Sequence, residues 1–165
     1  MRNTPTALSL SDALSVYLLD HQASKHSKRT VEHYKVQLSP FVTWLNGQDV
    51  VSVQQVRPNH IRYYIVECSD RGLSEHTVNT AARALRAFFN FCVREEWLDK
   101  SPMSGMKMPK LPKPLPTVLT SVQTKQLISS VKNERDKAIV LFILDTGVRA
   151  SELCALDGGD IDIGS

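Results

Sequence analysis

Residues 74–94 read Ser74-Glu75-His76-Thr77-Val78-Asn79-Thr80-Ala81-Ala82-Arg83-Ala84-Leu85-Arg86-Ala87-Phe88-Phe89-Asn90-Phe91-Cys92-Val93-Arg94, and they carry two helical patterns at once. Val78, Ala81, Ala82, Leu85, Phe88, Phe89 and Cys92 recur at three- and four-residue spacing, which predicts an amphipathic helix seated in a core. Ser74 sits where an N-cap belongs. The other side bears Asn79, Arg83, Arg86, Asn90 and Arg94. At about 100° per residue these fall within a sector of roughly 80°. The acids Glu95 and Glu96 come only at the helix end.

Three further stripes precede this one. Leu10, Ala13, Leu14, Tyr17 and Leu18 follow Ser9 and Asp12, a start resembling a capping box. Val31, Tyr34, Leu38, Phe41, Val42 and Leu45 follow Ser27 and stop at Gly47. Pro58 opens a third, with Ile61, Tyr64, Ile65 and Cys68, ending at Gly72. Residues 1–101 thus read as a four-helix domain. Residues 102–118 follow, with five prolines from Pro102 to Pro116 and Lys107, Lys110 and Lys113 among them. Proline at this density cannot continue a helix, so the segment reads as a semi-rigid basic linker.

Helices resume in 119–165. Thr120 and Gln123 form a capping box, and Val122, Leu127, Ile128 and Val131 follow. Asn133 starts another helix whose middle, Ala138 to Leu144, is apolar on nearly every side and calls for burial. Gly147 ends it, and a short helix follows around Arg149–Leu156. About 45 residues are marginal for an independent core, so this part reads as the opening of a larger domain.

Composition fits a soluble globular protein: 42% of the 165 residues are hydrophobic and 22% charged. The longest apolar run is too short for a membrane span, and the first residues lack a signal-peptide core. Neither a membrane nor a small-molecule ligand is expected, and the cytoplasm is the expected compartment. Cys68, Cys92 and Cys154 are far apart, lack metal spacing and read as buried reduced thiols; no metal or other cofactor is expected. The net charge of +3 is uneven, +5 over residues 1–113 and −2 over 114–165, so the first part is the one suited to a polyanion.

The polar stripe of the fourth helix supplies candidates for that contact. Arg and Asn have the shapes that make paired hydrogen bonds to guanine and adenine edges. His76 and Thr77, at the same helix start, suit a phosphate, as do Lys28, Arg29 and Thr30 at the start of the second helix. The DNA-binding set is therefore Lys28, Arg29, Thr30, His76, Thr77, Asn79, Arg83 and Arg86. Periodicity alone leaves a solvated face as the competing reading. An all-α protein–protein adaptor is another, and RNA binding is weaker because no exposed aromatic platform is evident.

Thr146-Gly147-Val148-Arg149-Ala150-Ser151-Glu152-Leu153 resembles the first catalytic box of tyrosine recombinases, the phage-integrase family, and Xer-type enzymes in particular. The segments from Thr30-Val31 to Trp44-Leu45 and from Ser74 to Phe89 resemble that family's four-helix, SAM-like core-binding domain. The resemblance implies an all-α fold: the core-binding bundle, the proline-rich linker, then the first helices of a truncated catalytic domain. It implies double-stranded DNA as partner, with other recombinase subunits, in site-specific recombination or integration. It also implies that Arg149 is catalytic, holding the scissile phosphate. A guanidinium is permanently charged and matches phosphate oxygens with a planar fork, and Glu152 one turn on is placed to orient it. Without the resemblance, Arg149 reads as an ion-paired surface arginine. The family's remaining groups (a hairpin lysine, a His-x-x-Arg box, a further His or Trp, and the tyrosine nucleophile) have no counterpart here. Tyr17, Tyr34, Tyr63 and Tyr64 all precede the box. The expectation is a chain that binds DNA but does not cleave or join it alone; the alternative is one part of a complete, active integrase. A monomer is expected in solution.

Overall fold

The computed structural model describes residues 8–111 and 118–160, and every element in them is helical. The chain divides into two compact units, Met1–Lys113 and Pro114–Ser165. In the first lie α1 (Leu10–Ala23), α2 (Lys28–Asn46), a single 3-10 turn (Val53–Gln55), α3 (Pro58–Asp70) and α4 (Glu75–Arg94). The second holds α5 (Ser121–Ser130), α6 (Glu134–Thr146) and α7 (Ala150–Leu153).

The helix starts follow the local chemistry. Ser9, Ser27 and Ser74 each accept a hydrogen bond from the backbone N–H three residues on, satisfying a donor that the first turn leaves free. Pro58 occupies the first turn of α3, where its missing N–H costs nothing. α2 runs unbroken through Pro40; Pro40 and Val36 both lie on the exposed side, so the missing hydrogen bond is left to solvent. The ends are less uniform. α3 closes on Gly72 at φ +79°, with Leu73 N–H bonded to Cys68 C=O. α1 and α4 close the same way but place Lys25 (φ +57°) and Glu96 (φ +58°) in the left-handed region, which costs an L residue about 1–2 kcal/mol.

α4 packs on α1, α2 and α3, as α2 likewise packs on the other three helices. The apolar sector of α4 is consequently wider than its stripe predicts: Ala84 and Phe91 are buried as well. Phe41, Phe88, Phe89, Leu10, Leu38 and Ile61 are fully buried at the centre. Phe41 meets Tyr64 edge-on at 5.0 Å and Phe89 at 6.2 Å, while Tyr17 meets Phe88 at 5.5 Å and Phe91 at 5.0 Å. Such edge-to-face pairs add to the area they bury. Trp44 donates its indole N–H to the Glu67 carboxylate, joining α2 to α3.

Two features differ from the sequence expectation. Residues 103–111, read as linker, pack against α4 instead: Met103 is 3% exposed, and Met106 and Met108 are half-buried against the core. Three methionines within six residues supply unbranched side chains that fit an irregular surface. Residues 112–117, the rest of that segment apart from Val118, lie outside the described residues, as do residues 161–165. In the second unit, α6 has none of its residues buried, and Leu141, Ile143 and Leu144 are 44%, 36% and 42% exposed. Among the described residues of this unit α6 has α5 as its main neighbour, which leaves most of its circumference open. Cys154, expected to be buried, is exposed for the same reason, whereas Cys68 and Cys92 are buried and burial pushes the Cys92 thiol up to about 12.

Candidate nucleic-acid interface

The polar face of α4 forms the floor of a shallow groove. Asn79, Arg83, Arg86, Ala87 and Asn90 line it together with Met108 and Leu111. Ala87 and Asn90 also border a second depression that contains Tyr17, Asp20, His21, His26, Tyr34 and Arg94. Tyr34 borders a third, at the start of α2, with Ser27, Arg29, Thr30 and His33. Shared residues therefore join the α4 face to the first turn of α2 as one surface. None of the residues lining the α4 groove or the α2 depression is acidic.

Within this surface the expected residues divide into two kinds. Arg83 is exposed and free to reach outward, as is Asn90. Lys28 and Arg29 are exposed in the first turn of α2; Thr30 is half-buried, with its backbone N–H bonded to Ser27 Oγ at 3.1 Å and its hydroxyl 2.9 Å from the same oxygen. His76 and Thr77 are exposed in the first turn of α4, where Thr77 repeats that contact with Ser74. Asn79 and Arg86 are engaged internally. Asn79 is only 8% exposed and donates through Nδ2 to Pro109 C=O at 2.7 Å. Arg86 is half-buried and donates through Nη2 to Met106 C=O at 2.7 Å. The helix period placed both on the polar face correctly, but it carries no information on what else lies across that face.

Arg94, the last residue of the stripe, is also engaged. It pairs with Asp20 of α1 at 3.1 Å and Glu95 at 3.3 Å and lies 4.9 Å over the Phe91 ring. The acid missing from the α4 stripe is thus supplied by another helix. Beside it, His21 stacks on Tyr34 at 4.6 Å, meets Tyr17 edge-on at 4.6 Å, and brings its Nδ1 2.7 Å from His26 Nδ1. Burial first, then His26, holds the His21 imidazole below its ordinary value; Asp20 opposes this and Arg94 reinforces it. His21 and His26 escaped the sequence analysis because their contact is created by the α1–α2 turn. The methionines at 103, 106 and 108 were the legible signal for the segment on α4.

Arg149 belongs to the second unit. It precedes α7 as its N-cap, and the left-handed Gly147 (φ +66°) ends α6 two residues earlier. Arg149 Nη1 donates to Glu152 Oε1 at 2.8 Å, and its backbone N–H donates to Oε2 at 2.9 Å. The backbone N–H first, then the guanidinium, hold the Glu152 carboxyl below its usual range. Glu152 therefore restrains one edge of the guanidinium on a side chain that is 81% exposed. Among the described residues no group of three or more His, Cys, Asp or Glu could hold a metal ion, and no helix is long and apolar enough to cross a membrane.

A four-helix unit with a basic groove, followed by the Thr146–Leu153 box, defines a class, and the comparisons agree with it. Residues 16–96 match the family described as phage integrase, N-terminal SAM-like domain. The chain belongs to the tyrosine recombinase family. It is 30% identical over 143 residues to the tyrosine recombinase XerC of Bacillus pumilus, covering 84% of this chain and 47% of the relative. It is 32% identical over 148 residues to XerC of Haemophilus influenzae, covering 87% and 49%. The chain thus spans about half the length of the curated relatives it matches. The fold is shared with a lambda integrase dimer bound to a COC' core site, at a TM-score of 0.79 and 15% identity over 98% of this chain and 45% of that one. It is also shared with the N-terminal domain of a Haloarcula marismortui phage integrase/site-specific recombinase, at a TM-score of 0.59 and 18% identity over 63% and 99%.

Proposed function

We propose that this chain binds double-stranded DNA as the core-binding part of a site-specific recombinase, acting in the cytoplasm alongside further recombinase subunits. The observation that carries the reading is the joined surface of α4 and the α2 start: its α4 and α2 depressions hold Arg83, Arg86 and Arg29 and no acid, while Asp20 and Asp99 border the depressions beside them. A solvated face would ordinarily mix both signs of charge. Arg83 and Asn90 are the side chains placed to reach base edges in a groove, and Lys28, Arg29, Thr30, His76 and Thr77 those placed for phosphates. The lambda and Tn1549 integrases, both solved in complex with DNA, support the reading by their shared fold.

In this reading Arg149 is the phosphate-holding arginine of the recombination site, restrained by Glu152. Strand cleavage is not assigned to these residues. Tyr17 and Tyr64 are buried in the first unit, where burial pushes their phenols further from ionisation, and residues 114–165, which hold Arg149, contain no tyrosine. A nucleophile must lie beside the group that holds the phosphate. The domain plan follows: residues 1–101 and the segment to 111 bind DNA, and residues 119–165 contribute to a catalytic domain.

The test is binding of the chain to random duplex DNA between about 50 and 200 mM salt, beside the Arg83→Ala/Asn90→Ala variant. Salt-sensitive binding that weakens in the variant is expected. Unchanged binding in the variant would remove α4 from the interface, and no binding at low salt would sink the proposal for this chain.

A further inference from the structure

The segment from Met103 to Leu111 crosses the face of α4 that carries the proposed DNA contacts, and from Met106 to Met108 its side chains alternate. Met106 and Met108 turn toward the helix and are half-buried, while Lys107 and Lys110 are exposed. An extended chain sends successive side chains to opposite sides, so seating the methionines presents Lys107 outward. Two α4 side chains hold this arrangement at its backbone: Arg86 at Met106 C=O and Asn79 at Pro109 C=O, both at 2.7 Å. A segment outside any helix or sheet must find partners for its polar groups elsewhere, and these two donors satisfy the carbonyls that flank Lys107 and Met108.

We infer that Asn79 and Arg86 are positioning residues, a clasp that fixes residues 103–111 on α4 so that Lys107 and Lys110 join the DNA-binding surface as phosphate contacts. This rests on the DNA-binding reading above, and it reassigns two residues within it. Asn79 is too buried to reach a base edge, and Arg86 has one edge of its guanidinium committed to Met106. Base contacts therefore fall to Arg83 and Asn90, on a surface made of helix and clasped segment together.

The experiment uses the full chain, Arg86→Ala, Arg86→Lys, which keeps a donor for Met106 C=O, and Lys107→Ala/Lys110→Ala. The first readout needs no DNA: tryptic cleavage after Lys107. Losing a charge-assisted hydrogen bond should raise its rate about tenfold in Arg86→Ala, with most of the protection restored in Arg86→Lys and the thermal midpoint of the first unit little changed. The second readout is the salt slope of binding to random duplex. It should fall by about one per lysine in Lys107→Ala/Lys110→Ala. The same double substitution should add little in the Arg86→Ala background, because released lysines no longer have a fixed place. Unchanged cleavage in Arg86→Ala overturns the clasp, whatever the DNA result. Raised cleavage with an unchanged slope in the lysine variant overturns the phosphate contacts. Absence of salt-sensitive binding in the unmodified chain overturns the DNA reading and the role of the lysines with it, while the clasp stands on proteolysis alone.

Discussion

α4 and α6 are both written as strongly apolar helices, yet α4 buries nine of its residues and α6 none. The difference lies in neighbours. α4 packs on three other helices, while α6 among the described residues has chiefly α5. Apolar sequence supplies the tendency to be buried; only partners convert it into burial and stability. The helix of α6 is secured locally instead, by Asn133 at its start and Gly147 at its end.

The largest test of this contrast is truncation within each helix. Phe89→Ala should cost the first unit about 3–5 kcal/mol, measured by urea unfolding. Leu141→Ala, 44% exposed, should move stability by about 0.5 kcal/mol or less. Equal effects would mean that α6 is buried in solution as α4 is.

The polar sides can be compared the same way. Arg83→Ala should lower affinity for a cognate duplex about tenfold or more, as loss of one good base contact does. Arg149→Ala should weaken binding by this chain less than Arg83→Ala does in the same titration. A larger loss for Arg149 than for Arg83 would move the main DNA contact to the second unit.

Helix ends give a smaller contrast. α4 closes on Glu96 in the left-handed region, whereas α6 closes on Gly147. Glu96→Gly should stabilise the first unit by about 1 kcal/mol by relieving that conformation. Gly147→Ala should weaken α6 by a similar amount, about 1 kcal/mol, seen as faster amide exchange. No gain from Glu96→Gly would show that the cost is already offset by contacts of the glutamate.

The smallest expected effect is pH dependence confined to the first unit. The folded state holds His21 below its ordinary value of 6.5, so it favours the neutral ring. The stability this contributes is present above pH 6.5 and is lost as pH falls through the folded value, because the unfolded chain then binds the proton more readily. The thermal midpoint of the first unit should decline below that pH, and His21→Gln should flatten the decline. An unchanged profile in the variant would assign the dependence to other groups.

Much of the fold was legible because it is local. Ser9, Ser27, Ser74, Thr120 and Asn133 cap the helices they announce, and the apolar stripes of α1 to α4 face the core. Two readings stop short of what the fold shows. Prolines marked residues 102–118 as linker and drew attention away from Met103, Met106 and Met108, which seat the segment on α4. The α4 stripe treated Asn79, Arg86 and Arg94 as equivalent to Arg83. The fold commits Asn79 to Pro109, Arg86 to Met106 and Arg94 to Asp20, partners 30, 20 and 74 residues away in sequence. Periodicity reports which side of a helix a residue occupies and nothing about the distant segment that crosses that side.

By itself, then, the sequence determined the helices, their caps, the polar face of α4 and the Arg149–Glu152 pair, because each depends on residues within a few positions of one another. The tertiary structure decided which arginines stay free, that a proline-rich segment lies on α4, and that α4 is buried while α6 is not. Those outcomes depend on contacts between residues far apart in the chain, which exist only once the helices have packed.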